Sequence, residues 1–235
     1  MFLGHFGVGF GAKAIAPRTS LGSLFLAAQL IDLLWPTFLL AGVERVRIVP
    51  GWTRVTPLEF VHYPISHSLL AVFGWAAMVA VVYALIRRYR RGATVLALAV
   101  VSHWLLDAVV HRPDLPLYPG GRYRLGLGLW SSIAGTLAVE VPLFLLGVWL
   151  YLRSTEASDR VGRRAAWGLV GFLAVIYAAN LSGSPPPSVF ALAWVGQAQW
   201  ILISWGYWLD RHRPAMMDES GQVKIFQFQL FKAPS

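Results

Sequence analysis

The sequence predicts an all-α polytopic membrane protein with about six transmembrane helices and a short N-terminal interfacial or re-entrant helix. Three observations predict it. The 235-residue chain is 57% hydrophobic and 13% charged, about half the roughly 25% charge of a soluble domain. Several apolar runs reach the length of about 20 residues needed to cross about 30 Å of hydrocarbon. The net charge of +9 is gathered at the ends of those runs, which argues against nucleic acid as a partner and for the edges of a lipid bilayer. The chain contains no cysteine, so any metal must be held by imidazole nitrogen and carboxylate oxygen.

Residues 2–16, FLGHFGVGFGAKAIA, are too short for an ordinary span, and their glycines permit close backbone approach. No basic region precedes their apolar stretch, so they do not read as a cleavable signal and are expected to remain. Lying flat on the membrane surface, this segment would keep His5 away from the membrane interior; dipping inward, it would deliver His5 there. Spans follow at about 20–42, 67–86, 93–112, 130–152, 164–182 and 188–209. Residues 1–209 read as one integral domain. Residues 210–235 read as a polar tail whose alternating patch VKIFQFQLF suits a strand or a membrane-surface strip.

The turns RRYRRG and RSTEASDRVGRR carry four arginines each. Placing the amino terminus in the cytoplasm puts 14 of the 20 basic residues on that side and 6 on the other, the asymmetry expected of an integral membrane protein with both termini cytoplasmic. The outer connections are then 43–66, 113–129 and the proline-rich SGSPPPS turn. Glu44, Glu59, His62 and Asp114 lie in the two longer ones.

Ionisable residues at membrane depth are costly and mark functional sites. In the first span Asp32 precedes Pro36, which has no N–H to offer the Asp32 carbonyl and so frees it. HYPISHS places His62 and His67 at the entry to the second span, where a loop geometry would let both rings converge. In SHWLLDAVVH, His103, Asp107 and His111 repeat at i, i+4, i+8 and share one helix face. Glu140 interrupts TLAVEVPLFLL, where a buried carboxylate suits general acid or base work, ligation or a plain interhelical hydrogen bond. Asn180 and Gln197 suit the last of these. Asp32, His67, His103 and Asp107 match in depth in the outer half of the bilayer. They form an all-N/O set for a divalent metal, zinc first, with manganese or iron accepting the same ligands.

Four of these pieces together resemble the membrane-bound metal-dependent hydrolases, small integral proteins of bacteria and archaea. They are His5 in GHFGVGFG, Asp32 near the end of the next helix, the pair His62 and His67, and Ser102, His103 and Asp107 as a Ser-His-x-x-x-Asp element. The chain departs at Leu34, where the family often has a second aspartate, and at Tyr63, where an arginine often follows the histidine. The resemblance implies a prokaryotic cytoplasmic-membrane enzyme similar to zinc-dependent phospholipase C, with a lipid or lipid-linked phosphoester as substrate.

The combined expectation is a metal-dependent hydrolase with its site toward the outer face. Asp32, His67, His103 and Asp107 would hold the metal, with His5 or His62 completing or orienting the set. Glu140 or Asp114 would move the proton, and Arg112, Arg122 and Arg124 would clamp phosphate oxygens. A metal or proton transporter, or a non-enzymatic metal-stabilised scaffold, would use the same residues differently.

Overall fold

The computed structural model describes residues 1–218; the VKIFQFQLF patch lies outside them. Among the described residues, six helical segments are long and apolar enough to span a membrane: α2 (Leu21–Leu40), α3 (Leu69–Arg87), α4 (Arg90–Val110), α5 (Ile133–Ser154), α6 (Arg160–Ser182), and a sixth over Val189–His212. The chain is an all-α polytopic membrane protein embedded in a bilayer. A shorter helix, α1 (Leu3–Ile15), stands outside that set.

The sixth span is interrupted, as α7 (Val189–Gln197) and α8 (Gln199–His212), with Ala198 between them. The break packs on another irregularity: a side chain at Gly196 would run into the Pro36 ring of α2. The Asp32 carbonyl, which Pro36 cannot satisfy, accepts from the Gln199 side-chain amide at 3.3 Å. One hydrogen bond thus answers the proline and ties α8 to α2. Gln197 also donates across helices, to the Thr37 hydroxyl at 2.8 Å, whereas Asn180 is exposed.

Side-chain oxygens set the helix starts. Ser20, Ser68, Ser132, Asp159 and Ser188 each accept a backbone N–H from the first turn of α2, α3, α5, α6 and α7 respectively. These caps satisfy amides that have no partner within the helix.

α2 and α4 are the most enclosed spans, and α3 is the least. One apolar core joins α2, α3 and α4 around Ile31, Trp35, Leu96, Val100 and Trp104. A second joins α1, α2, α5, α6 and α8 around Phe6, Phe10, Phe25, Phe144 and Leu169. α1 does not lie flat on a surface. It is enclosed along most of its length and packs chiefly on α5, with further contacts to α2 and α4. Glycines permit that approach: a side chain at Gly147 would occupy the space of the Gly7 carbonyl.

The 43–66 connection folds as an antiparallel hairpin of β1 (Arg45–Ile48) and β2 (Leu58–His62). Arg47 and Glu59 face each other across it, Nε to Oε2 at 2.7 Å. A smaller pair, β3 (Leu115–Pro116) and β4 (Arg124–Leu125), closes the next connection beyond α4.

Candidate metal centre

Four elements bring together two overlapping sets of three possible ligands that share His103: His5, His103 and Asp107, and Asp32, His67 and His103. α4 supplies His103 and Asp107 one turn apart, α2 supplies Asp32, the turn before α3 supplies His67, and α1 supplies His5. His103 Nε2 lies 3.2 Å from Asp107 Oδ2 and 3.7 Å from Asp32 Oδ1. His67 Nε2 lies 3.6 Å from Asp32 Oδ1 and 3.8 Å from Asp107 Oδ2. Zinc bonds nitrogen and oxygen at about 2.0–2.2 Å, so tetrahedral ligands around it stand roughly 3.3–3.6 Å apart. The four separations bracket that edge, and the residues fit a divalent cation.

Hydrogen bonding on the far side of each ring aims the nitrogens. His103 Nδ1 lies 2.8 Å from the Ala28 carbonyl, which can only accept, so Nδ1 carries a proton and Nε2 is the nitrogen turned toward the carboxylates. That Nε2 is buried and makes no hydrogen bond to a protein group. Ser66 Oγ donates to Glu44 Oε2 at 2.5 Å and accepts from His67 Nδ1 at 2.7 Å, which turns His67 Nε2 toward Asp32 and Asp107. Glu44 Oε1 is held by the amides of Ile65 and Ser66, both at 2.8 Å. Trp104 Nε1 donates to the His67 carbonyl at 2.9 Å. Such outer partners orient metal-ligating histidines and raise their basicity.

His5 stacks on His103, with ring centroids 3.7 Å apart and planes within 6°. Its Nε2 lies 3.1 Å from Asp107 Oδ1, which also takes the Met1 amino group at 2.5 Å. Asp107 therefore works on two sides: Oδ1 ties down the α1 end, while Oδ2 faces His67 and His103. Asp32 differs from its companions, keeping 29% of its side chain accessible where Asp107 keeps 2%. Asp32 is thus the most accessible of the four.

Glu140 is buried, and its Oε2 accepts the amides of Leu3 at 2.8 Å and Gly4 at 3.4 Å. The carboxylate thus caps the first turn of α1, where unpaired N–H groups and the helix dipole favour negative charge. Glu140 thereby ties α5 to the first turn of α1, the helix that carries His5.

The remaining expected residues lie farther out. His62 is exposed at the end of β2, because strand pairing with Arg45 holds it in the hairpin, so its ring does not converge with His67. Tyr63, the next residue, is the one that turns inward, its ring 5.2 Å from that of His67. Asp114 accepts from the Tyr63 hydroxyl at 2.8 Å and lies 3.0 Å from His111 Nδ1. Burial, with the Asp114 carboxylate beside it, holds the Tyr63 hydroxyl well above its ordinary pKa, so it stays a donor. Arg112, Arg122 and Arg124 are exposed. Arg112 packs on Trp52, its guanidinium carbon 4.6 Å from the ring, and Arg124 donates to the Asp114 carbonyl at 3.1 Å. The three do not converge on the His/Asp cluster.

Glu44, Ser66, Ala28 and Trp104 are the supporting residues that sequence reasoning did not single out for this role. A serine directly before a histidine is a weak signal, and a backbone carbonyl leaves none.

Fold and cluster define a class: a polytopic helical membrane protein with a buried His/Asp set able to chelate a divalent metal. Within that class, residues 1–185 match the YdjM inner membrane protein family, and the chain belongs to it. No curated protein and no solved structure matches the chain.

Proposed function

We propose that the protein is a metal-dependent hydrolase acting on a phosphoester of a lipid or lipid-linked substrate, with Asp32, His67, His103 and Asp107 as the ligands and zinc as the first-choice metal. One observation carries the reading: the buried His103 Nε2 faces Asp107 Oδ2 at 3.2 Å and Asp32 Oδ1 at 3.7 Å, yet makes no hydrogen bond among the described residues. A resident cation would supply Lewis acidity, polarising a phosphoryl oxygen and acidifying water. The chain's own residues supply the rest. Ala28 and the Glu44–Ser66 pair aim both imidazole Nε2 atoms toward the centre. Glu140 and Gly7 seat α1 so that His5 covers the inner side and excludes water there. Asp32, the accessible carboxylate, is placed to take a proton at its free oxygen from an entering nucleophile.

Phosphoester chemistry and the likeness to zinc-dependent phospholipase C rest on the family resemblance, and a protein embedded in a bilayer has lipid as its abundant neighbour. Arginine asymmetry between the two sides supports cytoplasmic termini and a site toward the outer face. Elemental analysis of the detergent-purified protein beside its His103→Ala variant tests the metal. The wild type is expected to carry a divalent transition metal and the variant to lack it. A lipid-phosphoester screen then tests hydrolysis: metal-dependent product release is expected, whereas metal flux into sealed vesicles without hydrolysis would favour transport.

A further inference from the structure

The helices that carry the centre border a second feature at their opposite ends. A groove of about 620 Å³ lies between the start of α2, the end of α3 and the end of α8. Its rim carries Arg18, Arg87 and Arg211. Below them the wall is apolar: Met78 and Val82 lie about 13 and 7 Å down α3 from Arg87 at 1.5 Å per residue. A row of hydroxyls separates the zones, with Ser20 Oγ 2.8 Å from Ser23 Oγ and Ser23 Oγ 3.0 Å from the Tyr207 hydroxyl. One carboxylate, Asp210, also lines the groove, but it is engaged by Lys13 Nζ at 2.6 Å and the Leu21 amide at 3.3 Å. The groove therefore keeps an excess of positive charge. α3, its main wall, is the least enclosed span, so the groove opens to the bilayer.

A free phosphate would leave the apolar wall unused, and a neutral lipid would leave the arginines unanswered. A phosphodiester with an attached acyl chain uses both, because arginine holds phosphate oxygens through a planar donor fork while the chain avoids water. We propose that this groove binds an anionic glycerophospholipid, its phosphodiester held by Arg18, Arg87 and Arg211 and an acyl chain laid along the α3 wall. The site stands apart from the His/Asp centre and does not depend on catalysis there.

Native mass spectrometry of the full-length protein titrated with phosphatidylglycerol or phosphatidylcholine tests it. The wild type is expected to retain phosphatidylglycerol preferentially. Each arginine at a membrane surface contributes about 1 kcal/mol, so the R87Q/R211Q variant should lose about 30-fold in phosphatidylglycerol affinity, with phosphatidylcholine little changed. Val82→Trp, which fills the wall and leaves every arginine in place, should also weaken phosphatidylglycerol retention. Unchanged melting temperatures would establish that both variants fold. Wild-type affinity in both variants would overturn the proposal. So would displacement of the lipid by glycerol phosphate as effectively as by phosphatidylglycerol, or binding that appears only after deletion of residues 219–235.

Discussion

His103 is the residue on which the centre turns, and its geometry comes from a backbone atom. The Ala28 carbonyl takes the Nδ1 proton and so decides which nitrogen turns toward the carboxylates. His67 reaches the same state through two side chains, Ser66 and Glu44, and these can be changed without touching a proposed ligand. Ser66→Ala or Glu44→Gln should weaken metal affinity by about 10–100-fold while leaving some metal bound, the usual cost of losing an outer-shell partner. Competition with a chromogenic chelator measures it, and an unchanged affinity in both variants would remove this pair from the site. At this scale the stripe of His103 and Asp107 is legible in the sequence, since four residues is one helical turn. The inward role of Tyr63 in place of His62 is not, because it depends on where the hairpin hands over to the helix.

At the scale of elements, α1 is the least ordinary part. It is too short to span, yet it is seated by a carboxylate 137 residues away and by backbone-to-backbone contact with α5. Gly147→Val should push the two helices apart, destabilise the protein by about 1–3 kcal/mol and reduce bound metal through displacement of His5. Thermal melting and elemental analysis of one sample read both effects, and loss of stability with full metal content would separate His5 from the centre. The start of α6 responds to pH. The Gly162 amide, then His212, hold the Asp159 carboxyl below its ordinary value of 3.8. A carboxyl depressed in the folded state stabilises it above the unfolded value, and that contribution is lost as pH falls through the folded one. Asp159→Asn should therefore flatten the acid limb of stability below about pH 4, with little change in its slope near neutrality. Circular dichroism melts across that range would detect it, and an identical acid limb in the variant would count against the cap.

For the whole molecule, the centre joins side chains from α1, α2, the turn before α3 and α4, so a bound cation would tie together parts of the chain far apart in sequence. Adding zinc to metal-stripped protein should raise its unfolding temperature. A free concentration 100 times the dissociation constant is worth about 2.7 kcal/mol if the unfolded chain does not bind. The His103→Ala variant should show no such rise. Equal stabilisation of variant and wild type would place the metal elsewhere.

The sequence by itself determined the membrane class, the six apolar segments and the positions of Asp32, His103, Asp107 and Glu140 along them, because length, hydropathy and helical periodicity are local properties. It also marked residues 2–16 as a segment unlike the others. Only the tertiary structure decided which polar groups share a neighbourhood. His5 meets Asp107 across 102 positions, Glu140 caps α1, Gln199 answers the carbonyl that Pro36 leaves free, and His62 stays outside on a hairpin. Matching depth narrows the partners of a buried charge. Choosing among them takes the rotation and packing of each helix, and those are set by contacts between residues far apart in the chain.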